Sequence, residues 1–112
     1  MIDIRLLYRD GEPAGFICEG HALYADEGQD IVCSAISALT INTVNSIEQL
    51  AGDEAGIEQD ENGGYLQYIL KSNPSQEAGL LLESLFLGLR MIEETYGTDY
   101  LKISEYEQVS SE

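Results

Sequence analysis

Hydrophobic and polar positions alternate at the start of the chain, where Ile2, Ile4, Leu6 and Tyr8 interleave with Asp3, Arg5, Leu7 and Arg9. A period of two sends successive side chains to opposite faces, which predicts a half-buried strand. Asp10-Gly11-Glu12-Pro13 has turn chemistry, and residues 15–19 return as a hairpin partner. Gly20 ends that strand and His21 opens a loop over 22–30 that has no periodic pattern.

From 31 to about 50 the spacing becomes helical. Ile36, Leu39, Val44, Ile47 and Leu50 supply a stripe, diluted by Ser34, Ser37, Thr40, Asn42, Thr43, Asn45 and Ser46. Such small polar residues suit close packing on a neighbouring backbone, or a helix face shared between subunits. Asp30 is a good N-cap, able to accept the amide of Cys33. Ala51-Gly52-Asp53 stops the helix. Residues 57–60 and 65–70 then flank Glu61-Asn62-Gly63-Gly64, a second hairpin with an Asn-Gly turn.

Asn73-Pro74-Ser75 starts a second helix, with Pro74 where no amide donor is needed. Its stripe is Ala78, Leu81, Leu82, Leu85, Leu89 and Ile92, and it ends near Tyr96-Gly97. Residues 100–104 make a last strand, and 105–112 read as a frayed acidic tail. The order β-β-α-β-β-α-β predicts an α+β fold, one largely antiparallel sheet with two helices packed on one face. A single domain is expected over 1–106, with 107–112 as a flexible tail.

Composition narrows the function classes. The 112 residues are enough for one core, and 44% are hydrophobic. Twenty-one acidic residues against five basic ones give a net charge of −16, which repels phosphate backbones and argues against direct nucleic-acid binding. The same charge either only maintains solubility or attracts a basic partner, such as the tail of a ribosomal protein. No basic-then-apolar signal opens the chain, and the longest uninterrupted apolar stretch is too short to cross a bilayer. Cys18 and Cys33 do not make a disulfide framework at this size, so the cytoplasm, with both thiols reduced, is the expected compartment.

The candidate chemistry is His21 with Cys33, the minimum parts of a cysteine nucleophile and its base. Within the first turn of the predicted helix, unpaired amides would stabilise a thiolate and offer an oxyanion hole. A protonated His21 would help, and Asp30 would oppose if it lay close to the sulfur. Ser37, one turn after Cys33, could bond to the sulfur or to His21, or simply pack. Read separately, His21 is also a satisfied loop residue and Cys33 a small buried hydrophobe.

Cys18, His21 and Cys33 together offer three zinc ligands, but strand alternation separates 18 from 21 and no second pair closes the site. No metal and no cofactor is expected, and Cys18 is assigned to the core. A redox-sensor reading would need Cys18 as resolving thiol, a role for which a strand position is poor. Phosphate-cradling and dinucleotide loops and the G-x-S-x-G elbow are absent.

Gly20-His21-Ala22, then Gly28-x-Asp30-Ile31-Val32-Cys33, then Ser37-Ala38-Leu39 resemble the signature of the ribosomal-processing cysteine protease family Prp. Length, acidity and element order match that family over most of the chain, and Ser34 replaces a frequent alanine. The resemblance implies a cytoplasmic endopeptidase, usually a homodimer. Its substrate would be the precursor of large-subunit ribosomal protein twenty-seven, which loses a short N-terminal extension. Cys33 would be the nucleophile, His21 the general base, and Gly20, Asp30 and Ser37 supporting residues, with the 22–29 loop closing over substrate. The alternative is a non-catalytic acidic adaptor for basic ribosomal proteins, with no membrane role in either case.

Overall fold

The computed structural model describes residues 1–20, 27–61 and 64–107, with the backbone alone at 27–30. Strand β1 (Ile2–Arg9) turns through Asp10 and Gly11 into β2 (Glu12–Glu19). Both turn residues have positive φ, 56° and 80°, which suits a two-residue hairpin loop of this hand. Helix α1 (Glu27–Ser46) runs on through a π-helical turn, Ile47–Ala51. Gly52 stops it at φ 79°, donating its amide to the Ile47 carbonyl at 2.7 Å. Strands β3 (Ala55–Gln59) and β4 (Tyr65–Leu70) form the second hairpin, followed by α2 (Gln76–Tyr96) and β5 (Leu101–Glu107).

The strands lie in the order β3-β4-β2-β1-β5. All neighbours are antiparallel except β1 and β5, which run parallel with Ile2 opposite Leu101 and Ile4 opposite Ile103. This is the expected β-β-α-β-β-α-β fold with a mixed, largely antiparallel sheet.

Alternation builds one core on the helix-bearing face. Ile2, Ile4 and Leu6, Phe16, Tyr68, Leu70 and Leu101 meet Val32, Ile36 and Ile47 from the first helical segment and Ala78, Leu82, Leu85, Phe86 and Leu89 from α2. Each large side chain buried there contributes about 1.5–3 kcal/mol. Phe16 stacks on Tyr68 across the β2–β4 pair, and Tyr8 meets Phe86 edge-on, both with ring centroids 5.6 Å apart. Leu39 lies against Gly88, where a Cβ would come within 3.0 Å of a Leu39 methyl carbon.

Several boundaries depart from the sequence pattern. Helix α1 starts at Glu27, not near 31, because neither Gly28 nor Asp30 interrupts it; Asp30 sits inside the first turn and is not the N-cap. Ser75 caps α2 by accepting the Ala78 amide at 3.1 Å, which leaves Pro74 outside the helix. Asp53 fastens the same residue, accepting the Ser75 amide and hydroxyl at 2.8 and 2.6 Å.

Strand β5 continues past 104 to Glu107, since its pairing with β1 holds residues that composition alone reads as tail. Residues 108–112 lie outside the described residues. On β1, Leu7 and Arg9 are buried although they occupy the polar register. The Arg9 guanidinium donates to the Leu70 carbonyl at 2.9 Å.

The segment 31–51 also meets the length and composition of a membrane span, contrary to the count of uninterrupted apolar residues. Its serines and threonines are only mildly polar, and the Thr40 and Thr43 hydroxyls bond back to the carbonyls of Ile36 and Leu39. Here the segment packs Val32, Ile36 and Ile47 into the common core.

Candidate active site

Of the candidate residues, Gly20 lies at the end of the sheet where β2 finishes and β1, β4 and β5 begin. Gly20 follows β2 at φ +100°, a conformation L side chains rarely adopt. A Cβ there would lie 2.5 Å from the Met1 carbonyl oxygen, so both dihedral and space require glycine. The Gly20 amide donates to the Gly64 carbonyl at 2.9 Å, which ties the chain leading into His21 to the β3–β4 turn. His21 itself and the loop through 26 lie outside the described residues, as do the side chains of Gln29 and Asp30.

Cys33 occupies the second turn of α1, half-buried, and packs against the common core. Val32 and Ile36 beside it turn fully inward, which fixes the helix rotation and leaves the thiol on the flank. Ser37 stands one turn further on the same flank and is exposed. Its carbonyl accepts from the Thr40 hydroxyl at 3.3 Å.

The earlier helix start alters the electrostatics. The amides without intrahelical partners belong to the first turn, one turn before Cys33, so the oxyanion donors expected beside the sulfur move to residues 27–30. The dipole acts most strongly within that same turn and reaches Cys33 from its edge.

Cys18 faces the helices from β2, opposite Ile4 and Leu66. Burial pushes its thiol up to about 12, which keeps it protonated and inert at neutral pH. The structure thus sorts the two cysteines into a strand thiol facing the core and a thiol on the flank of α1. Met1 and Gly64 were missed as positioning groups. Asn62-Gly63-Gly64 signalled a turn, but nothing in the local pattern says that its last carbonyl serves the neighbouring strand.

A half-buried thiol on the flank of a helix packed against a five-stranded sheet suits a cysteine protease, and solved structures bear the class out. The chain superposes with a TM-score of 0.85 on the crystal structure of an essential ribosomal processing protease from Staphylococcus aureus, in complex with a covalently linked product peptide. The two are 31% identical, over 95% of this chain and 100% of that one.

The chain belongs to the Prp family: residues 1–102 match the family model described as cysteine protease Prp. The ribosomal processing cysteine protease Prp of Bacillus subtilis is 36% identical over 93 residues, 80% of this chain and 82% of that protein. Its Staphylococcus aureus counterpart is 34% identical over 97 residues, 86% of this chain and 92% of that protein.

Proposed function

We propose that this cysteine protease removes the short N-terminal extension from the precursor of large-subunit ribosomal protein twenty-seven, in the cytoplasm, with Cys33 as nucleophile and His21 as general base. The observation that carries the reading is the half-buried Cys33 thiol on the second turn of α1, in a chain whose β2 ends just before Gly20 and His21. Family membership supports the substrate, as does the net charge of −16, which raises the encounter rate with a basic precursor body.

The Cys33 thiolate attacks the scissile carbonyl carbon, and its oxygen takes the negative charge, met by first-turn amides of α1. The intermediate collapses as the C–N bond breaks, and protonated His21 gives its proton to the leaving amine. Neutral His21 then takes a proton from water, hydroxide attacks the thioester, and the thiolate leaves with the acid product released. Asp30 and Ser37 support this pair, and the segment between Gly20 and the start of α1 closes over substrate. A homodimer is part of the reading. It is supported by the exposed Leu80, Leu87 and Met91, which recur on the solvent face of α2.

Incubation with the extended precursor followed by mass measurement tests the proposal. Wild type should release one short N-terminal peptide, and Cys33→Ala and His21→Ala should release none while melting as wild type does. Cleavage at the wild-type rate by either variant overturns the dyad.

A further inference from the structure

Beyond the reaction centre, we propose that the groove between the C-terminal end of the first helical segment and edge strand β3 docks a basic segment of the substrate body. The inference rests on the precursor reading above. The groove encloses about 290 Å³. Val44, Ala55, Ile57 and the Tyr68 ring form an apolar floor, and Ile57 is 49% exposed although it lies on the helix-bearing face.

Glu48, Asp53 and Glu54 stand on the rim against a single Lys71. Neither α1 nor its π-helical turn carries a basic residue in its last turn, so the negative end of the helix dipole there is uncompensated. The Tyr68 phenol registers the local field: burial, then the carboxylates of Asp53 and Glu48, push it up to about 12. Apolar floor and carboxylate rim fit an arginine or lysine beside an aliphatic residue. A second copy of this chain, with five basic residues among 112, is a poor occupant.

The spacing is workable. From Cys33 to Glu48 the helix advances about 22 Å at 1.5 Å per residue. An extended polypeptide spans that in about seven residues. The docked segment would therefore lie about seven residues from the cut, on the mature side because the precursor body is the basic part in the reading above.

The test titrates the full chain with a short synthetic peptide of alternating arginine and leucine, followed by NMR. Shifts should cluster at Val44, Ile57 and Tyr68. Glu48→Lys should weaken binding about tenfold, while Glu83→Lys, the same charge change beside the β1–β2 turn, should have little effect. With the whole precursor, Glu48→Lys should raise KM at unchanged kcat, and a peptide ending before the docking segment should be cut equally by both. Shifts spread over the acidic surface, equal losses in both variants, or equal binding of an all-leucine peptide overturn the proposal. Peptide docking at the groove without precursor cleavage by wild type would leave the docking site standing and remove the substrate assignment instead.

Discussion

Replacing Gly20 by alanine tests how the chain is aimed into the loop that carries His21. At φ +100° an alanine carries strain of about 1–3 kcal/mol. Its methyl would also meet the Met1 carbonyl oxygen at 2.5 Å, well inside contact distance. Relief by rotating the peptide breaks the Gly20–Gly64 hydrogen bond, another 1 kcal/mol or about that. The sum, about 2–4 kcal/mol, corresponds to a fall in Tm of about 8–16 °C for a domain of this size.

Gly52→Ala is the control. Its φ is 79° with nothing within 4 Å, so strain alone acts, about 1–2 kcal/mol or about 4–8 °C. Thermal melts by circular dichroism measure both, and kcat/KM on the extended precursor is compared where both variants are folded. Gly20→Ala should lose activity by at least about tenfold relative to Gly52→Ala, because a displacement near 1 Å at a catalytic group is costly. Equal melting of the two variants would falsify the steric argument, and equal activity the positioning argument.

The buried thiol sets an alkaline limit on stability. Cys18 ionises near 9.0 when unfolded and near 12 when folded, so the unfolded chain sheds its proton first. Stability from this group is complete below about pH 9 and is lost as pH rises toward 12, with Tyr68 adding a loss above about pH 10. Cys18→Val should delay the fall in Tm, and a Tm unchanged between about pH 8 and pH 11 in wild type contradicts the assignment. Iodoacetamide at neutral pH should label Cys33 well before Cys18, read by peptide mass mapping. Ser75→Ala removes the cap on Ala78 and the hydroxyl bond to Asp53, keeps the amide bond to the same carboxylate, and should cost about 1–2 kcal/mol in urea melts. Gly88→Leu should cost about 1–3 kcal/mol by overpacking the helix crossing at Leu39, and an unchanged urea midpoint would count against that contact.

The element order and the helix-facing sides of β1 and α2 were legible because period-two and helical stripes are local. Leu7 and Arg9 were misread as solvated because their burial comes from the sheet around them, which no alternation within β1 reveals. The start of α1 was misplaced because Gly28 and Asp30 are breakers by propensity alone, and the helix runs through both. Gly20 was recognised as a supporting residue from its neighbours, but its reason, the Met1 carbonyl, lies nineteen residues away. The residues 105–107 looked like tail because a parallel partner from the opposite end of the sequence leaves no local signature.

That parallel pairing has a consequence for synthesis. Strand β1 is made some ninety residues before its parallel partner, yet one of its edges is closed only by residues 101–107. Until those residues are made, its amides and carbonyls face outward, and Ile2 and Ile4 lack the cover of Leu101 and Ile103. The framework that aims the β2 exit is therefore assembled late, and a chain truncated near residue 100 should be prone to edge-to-edge association. In a chain that still lacks residues 101–107, the strand that sets the Met1 carbonyl against Gly20 keeps one open edge, so proteolytic activity should stay low until those residues are in place.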